Sequence, residues 1–472
     1  MSFNMEESTV EIHLNSTKLN IVHLEPVLYE YNKSSMDILR KEQYELWCLV
    51  LDIHSQFMKI NTTDVNCPGV LEPIISPMIG AGMNKTWEIL NTGTWKNVPE
   101  YIKHIYTQFC FYKMGAILLS TLDSDWTLEL NEQCIHVLDR GILLGYNNTH
   151  VTQAVNWLMD MYNSMDTGSE RDLMDRRSEE VDQSEMNCSS RNNRGQDNGV
   201  ILSKWKIKGI RGSPIMERTS PSLLSFQSDL LTVRRPLKLL NCVDHWPALT
   251  AWNLNYFRKL AGPRLVPIEL GKKYTDEDWS QRLMSLNQFL DQHMTEDSHA
   301  YLAQHDLLTQ IPQLKKDIII PDYCYVHTGD DSRDGYFHTS HSDDDHSVDL
   351  NMWFGPPGTV TPFHWDVKHN LLVQVLGSKR ILLASPDAPM YPYEGLLNNT
   401  SRIDPELDIE TLGTEFPDFV RYYKDPSHEP VPLNPSHVVE CTLNPGDMLY
   451  IPPKHWHHVR SLSTSISVSF WF

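Results

Sequence analysis

Apolar side chains recur at helical spacing from residue 36 to about 163. The segments SMDILRKEQYELWCLVLDIHSQFMKI, YIKHIYTQFCFYKMGAILLSTL, NEQCIHVLDRGILLGY and VTQAVNWLMDMY place apolar residues three and four apart, with short polar turns between them. That period predicts amphipathic helices packed as an antiparallel bundle. No fixed-length repeat runs through the region, so a repeat array is not expected. It holds no cluster of ligand-type residues. Its expected role is to bind a protein partner or to cap the next domain.

The pattern breaks at Met165. DTGSERDLMDRRSEEVDQSEMNCSSRNNRGQDNG is charged and almost free of large apolar groups, so it cannot bury enough surface to offset its ordering entropy. A disordered linker is expected over 165–200, between a helical domain at 1–164 and a second domain at 201–472 with its core at about 320–472. From residue 200 short β-like runs dominate: PLKLLNCV, VPIEL, NMWFG, the run at 370–376, RILLAS, MLYIP and the alternating SISVSFWF. WSQRLMSLNQFLDQHM reads as a helix with an acidic N-terminal flank. Gly377-Ser378 reads as a two-residue hairpin turn and Asn444-Pro445-Gly446-Asp447 as a turn, with a Pro-rich stretch over roughly 386–436. The whole predicts an α+β chain: a helical bundle followed by a double-stranded β-helix, or jelly-roll barrel, with flanking helices.

His364 and Asp366, in FHWDVKHNLLVQV, are the chemistry-bearing pair in this barrel. Residues two apart on a strand point to the same side, so one segment can supply two adjacent metal ligands. A third must then come from another strand, and KHWHHV offers His455, His457 and His458. Alternation puts 455 and 457 on one face and 458 on the other, which leaves the first two in competition. Two imidazoles and a carboxylate leave roughly three positions of an octahedron open, the donor set of non-haem iron(II) oxygenases. A second His-x-Asp, at His341 and Asp343, lies in the acidic loop 328–349 and is read as solvated.

Composition narrows the partners. The formal net charge of −21 at pH 7 disfavours direct nucleic-acid binding. The short basic run at 204–208 is read as a solvated edge. The eight cysteines form no C-x-x-C pair, which excludes zinc-finger and thioredoxin readings and suits a reducing compartment. MSFNMEESTVEIHLN lacks the regions of a signal peptide, and no apolar run reaches spanning length. Nucleus or cytoplasm is expected, with no secretion and no membrane.

NMWFGPPGTVTPFHWDVKHNLLVQVLGSK and LNPGDMLYIPPKHWHHVRSL resemble the JmjC oxygenases, and DHWPAL, VPIELGKKYTDEDWSQRLM, YLAQHDLLTQIPQLKKDIIIPDYC and WEILNTGTW extend the likeness into the helical region. The resemblance implies an iron(II)- and 2-oxoglutarate-dependent dioxygenase using O2. It selects His364, Asp366 and His457 as metal ligands. It puts Lys379 on the distal carboxylate of 2-oxoglutarate, with Tyr301, Thr361, Asn370 and Trp471 around it. It puts Glu269 and Trp353 on a substrate guanidinium and Gln304 near the substrate backbone. The implied reaction is hydroxylation of carbon 3 of arginine in a protein or peptide, histone tails included. Alternatives are histone Nε-methyl-lysine demethylation, arginine-directed peptide cleavage, and a non-catalytic protein-binding module. No activated nucleophile or H-E-x-x-H pattern supports the peptidase, and intact ligands with Lys379 argue against the binding module.

Overall fold

The computed structural model describes residues 9–14, 17–22, 43–60, 68–92, 97–121, 126–165, 209–228, 234–295, 297–326, 348–425 and 438–472. The expected linker beyond Met165, the basic run 204–208 and nearly all of the acidic loop, His341 and Asp343 included, lie outside these residues. Contacts gather the chain into two compact units, 1–176 with 261–265, and 177–260 with 266–472.

The first unit holds an antiparallel hairpin, β1 (Thr9–Leu14) and β2 (Thr17–Val22), that helical periodicity gives no hint of. Then come α1 (Tyr44–Ile60), α2 (Pro68–Leu90), α3 (Glu100–Ser120), α4 (Leu128–Leu144) and α5 (Thr149–Met165), each packed on the next. Ile53, Ile79, Phe109, Tyr112, Leu138 and Leu158 are fully buried between them. Thr127 caps α4 by accepting the Leu130 N–H. α2 is absent from the sequence reading because Pro73 and Pro77, which lack an N–H, sit inside it. Buried Ile75 and Ile79 hold it in the bundle nonetheless. Residues 261–265 belong to this unit. The buried Arg264 guanidinium forks onto the Asp139 carboxylate at 2.7–3.0 Å, and the Leu265 N–H adds a bond of 2.8 Å.

The second unit contains β3 (Ser213–Pro214), β4 (Glu217–Thr219), β5 (Leu237–Leu240), all but the first residue of β6 (Leu265–Leu270), β7 (Ser280–Ser285), β8 (Ala300–His305) and β9 (Asp349–Gly355). It continues with β10 (Val360–His364), β11 (Asn370–Leu376), β12 (Lys379–Ala384), β13 (Val439–Leu443), β14 (Met448–Ile451), β15 (Trp456–Ser461) and β16 (Ser465–Trp471). One sheet runs β10-β15-β12-β13-β3 and the other β4-β5-β14-β11-β16-β9-β8-β6-β7. From β10 onward the chain crosses between the sheets at every step except β12 to β13, which pair within the smaller sheet, as in a double-stranded β-helix. Both faces of β11 and β12 are buried.

Three local expectations change. Gly377-Ser378 is not a hairpin turn, because β11 and β12 lie in different sheets and pair with other strands. It is the corner where the chain changes sheet. Gly377 has φ +67°, and a Cβ there would stand 2.0 Å from the Thr464 carbonyl oxygen. The segment from Trp279 is a strand, β7, before it is a helix (Leu286–His293), with Ser285 as the N-cap between them. The Pro-rich stretch includes two helices, Ile409–Glu415 and Pro417–Lys424. The 444–447 turn stands as expected: Asp447 N–H donates to Asn444 O at 2.9 Å, with Gly446 at φ +89°.

Candidate active site

The two sheets divide the work of the site. The smaller sheet contributes Thr361 and His364 from β10, His457 from β15 and Lys379 from β12, three adjacent strands. The larger sheet contributes Glu269, Tyr301, Trp353, Trp471 and Asn370, one residue from each of the adjacent strands β6, β8, β9, β16 and β11. Register fixes the neighbours. His364 pairs with His457, Glu269 with Tyr301, and Asn370 with Trp471.

His364, Asp366 and His457 bring one ligand atom each to within 4.8 Å of the others. Asp366 lies just past the end of β10, so the His-x-Asp pair straddles a strand end instead of lying within the strand. The Nδ1–H of His364 donates to Pro362 O at 2.9 Å, and that of His457 to His455 O at 3.0 Å. Both Nε2 atoms are thereby left as acceptors, able to bind a cation. Burial, with His364 beside it, pulls the His457 pKa down to about 4, so the ring is neutral and able to ligate at pH 7. His457 Nε2 lies 3.6 Å from Asp366 Oδ2. This donor set fits a small divalent ion, whose bonds to imidazole and carboxylate run about 2.0–2.2 Å. His455 and His458 stand apart from it. His455 is buried and turned toward Pro453 O, while His458 packs its ring beside Phe363.

Lys379 is 1% exposed, and its ammonium donates to the Tyr301 hydroxyl at 3.1 Å. No carboxylate pairs with it among the described residues, and desolvation alone pulls its pKa down to about 7. Two further polar atoms of the site are buried without a partner, Asn370 Oδ1 in the same inner cavity and Trp471 Nε1 on a residue that lines the wider cleft. Leaving a buried ammonium without a counter-charge and two polar atoms without partners is costly. A small dicarboxylate would pair with the ammonium and bridge the inner cavity to the metal-ligand cluster that also lines it, so these residues could hold 2-oxoglutarate.

Thr361, Trp353, Tyr301, His364 and Asp366 line both a small inner cavity that includes Lys379 and Asn370 and a wider cleft of about 440 Å³. Glu269, Gln304 and Trp471 line the cleft. Burial raises the Glu269 pKa, offset in part by a hydrogen bond of 3.3 Å from Trp279 Nε1. Trp353 is fixed by donating Nε1–H to Ser469 Oγ at 3.0 Å. Gln304 is exposed, with its backbone at φ +47°, in the left-handed region.

The cleft also has walls that the sequence reading missed. Tyr274, Trp279, Asn399 and Thr400 line it. Tyr274 shares a hydrogen bond of 3.0 Å with Thr400, and desolvation pushes its pKa up to about 12. These four have no periodic pattern around them; only the acidic run between two aromatics, in KKYTDEDW, hinted at Tyr274 and Trp279.

A cupin-like domain model matches residues 223–472. The chain is 36% identical over 402 residues to lysine-specific demethylase 8 of Danio rerio, covering 82% of this chain and 85% of the relative. It is 35% identical over 413 residues to Jumonji C domain-containing protein 5 of Drosophila melanogaster, covering 84% and 86%. It is 28% identical over 271 residues to the human bifunctional peptidase and (3S)-lysyl hydroxylase JMJD7, covering 53% of this chain and 81% of that protein.

Proposed function

The chain belongs to the JmjC family of cupin-like, iron(II)- and 2-oxoglutarate-dependent oxygenases, and on that premise we propose that it hydroxylates carbon 3 of arginyl side chains in proteins. Iron(II), with 2-oxoglutarate and dioxygen, supplies the oxidising power that exchanges a C–H hydrogen for hydroxyl, leaving succinate and carbon dioxide. His364, Asp366 and His457 hold the iron. Lys379 pairs with the distal carboxylate of 2-oxoglutarate, supported by Tyr301, Thr361, Asn370 and Trp471.

The observation that carries the substrate assignment is Glu269. It is a desolvated carboxylate in the same cleft as His364 and Asp366, and no lysine or arginine pairs with it among the described residues. A guanidinium offers parallel N–H donors to its two oxygens. The Trp353 indole adds a flat face for the guanidinium plane. Gln304 faces the substrate backbone at the cleft rim. The protein's contribution to rate is positional: it presents one C–H to the metal and excludes the others.

Methyl-lysine demethylation is the second reading, and one observation favours it. Tyr274, Trp279, Tyr301, Trp353 and Trp471 all line the cleft, and aromatic walls suit methylated ammonium groups. Glu269 favours arginine, because a fully methylated ammonium has no N–H for a carboxylate to accept. Glu269→Gln tests the choice. Its KM for an arginyl peptide rises about tenfold or more, the weight of a charge-assisted pair, while its KM for 2-oxoglutarate stays near wild type. Equal peptide modification by wild type and Glu269→Gln would remove this residue from the substrate site.

A further inference from the structure

Three loops meet at the mouth of the cleft, and hydrogen bonds tie them together. Tyr274, in the loop after β6, bonds to Thr400, and Lys273 beside it pairs with Asp404. Trp365, in the loop after β10, donates its N–H to Asn399 O at 3.0 Å and accepts the Asn399 side-chain amide at 3.1 Å. The 392–401 loop is closed on itself. Pro392 bridges to Ser401, the Tyr393 N–H donates to Thr400 O, and the Thr400 N–H donates to Leu397 O, the last two at 2.8 Å. At its tip, just after Gly395 (φ +71°), Leu396 is 100% exposed. Leu397 is 37% exposed and also lines the cleft. Val367, next to Asp366, is 52% exposed.

An isolated exposed leucine needs no explanation. Here three exposed apolar side chains sit on loops held to one another, and one of them continues into the cleft. Exposed apolar side chains gathered on tied loops at the edge of a binding site suit contact with a partner. A loop held rigid before binding loses little entropy when the partner arrives. The partner follows from position: a side chain that enters the cleft past Leu397 carries its backbone across this edge. A formal charge of −21 disfavours a nucleic-acid backbone there.

We propose that Leu396, Leu397 and Val367 form an apolar lip that docks a large aliphatic or aromatic residue of the substrate polypeptide, close in sequence to the modified side chain. The lip rests on the arginyl reading only for the identity of that modified side chain. Specificity is then divided between two places. The cleft selects the target side chain, and the lip selects its neighbours within about three residues, the span of an extended segment of ~10 Å.

The test is peptide binding under nitrogen to the full chain loaded with iron(II) and 2-oxoglutarate. Two peptide series carry arginine or dimethyl-lysine at the centre, each flanked by leucine or by serine. Wild type binds the leucine-flanked peptide about tenfold more tightly than its serine counterpart, the yield of burying most of one aliphatic side chain. Leu396→Ser, at a fully exposed position that folding does not use, lowers that ratio toward one, and Leu396→Phe keeps it. Equal affinity for the two flanks in wild type, a ratio unchanged in Leu396→Ser, or no binding of either series would overturn the lip. If only the dimethyl-lysine series binds and still prefers leucine, the lip stands and the arginyl reading falls.

Discussion

Lys379 is 1% exposed and no carboxylate pairs with it among the described residues, so desolvation lowers its pKa from 10.5 to about 7. Between those values the unfolded chain binds more protons than the folded one. Stability from this group therefore rises as pH climbs from about 7 to 10.5, and the full cost of the buried charge is present below 7. A dicarboxylate partner reverses the balance by favouring the ammonium. Binding of 2-oxoglutarate at pH 8 therefore takes up a proton, seen by calorimetry as a binding heat that changes with the buffer's ionisation heat. Lys379→Met abolishes the dependence and weakens binding at least tenfold, the scale of a charge-assisted bond. A wild-type heat independent of buffer would contradict the pairing. At this scale the sequence was informative where chemistry has a fixed spacing. His364 and Asp366 are two apart, and alternation separated His457 from His458. Periodicity alone did not choose between His455 and His457, because what distinguishes them is a partner strand: His364 lies opposite His457 in the register. Tyr274 and Thr400 lie 126 positions apart and meet only in the fold.

The segment leading into β15 carries a pH sensitivity of its own. Burial lowers the pKa of His455 to about 4 and that of His458 to about 3, from 6.5. Their unfolded forms take up protons first as pH falls, so the stability they contribute is complete above 6.5 and is lost as pH falls toward those folded values. His458→Phe keeps an aromatic ring beside Phe363 and removes one of these groups. Its acid-unfolding midpoint, followed by tryptophan fluorescence without metal, moves to lower pH than that of wild type. An unchanged midpoint would show that His458 is not buried neutral. Strands were legible as apolar runs, but their partners were not. β11 and β12 are separated by two residues and buried on both faces, so pattern alone makes them a hairpin. Their true partners are β14 and β16 for one, β13 and β15 for the other, all more than 50 residues away. The alternating serines of β16 were equally ambiguous. Ser465, Ser467 and Ser469 are buried, and their hydroxyls bond Ser461, Gln374 and Trp353. Here the polar face of a strand is satisfied inside the barrel instead of facing water.

Across the whole molecule, 61 acidic against 40 basic side chains give a field that attracts cationic peptides and repels 2-oxoglutarate. Raising ionic strength from about 0.05 to 0.5 M shortens the screening length to a few ångströms. KM for an arginyl peptide therefore rises with salt, and KM for 2-oxoglutarate falls or stays level. Opposite salt trends would mean that local charge at the cleft outweighs the global field. The change from helical period to short β runs announced two kinds of architecture. Yet residues 261–265, far along the chain, belong with the helical unit through Arg264 and Asp139, a long-range ion pair that no local pattern encodes.

One cleft joins the His364–Asp366–His457 cluster to the Glu269 carboxylate, and the proposed arginyl hydroxylation depends on that junction. Fragment-mapped mass spectrometry of arginyl and methyl-lysyl peptides, incubated with enzyme, iron(II), 2-oxoglutarate and air, tests it most directly. The expected result is one added oxygen on the arginine side chain, matched by one succinate per modified peptide and absent in His364→Ala. Loss of methyl groups from lysine with arginine left unmodified would contradict it.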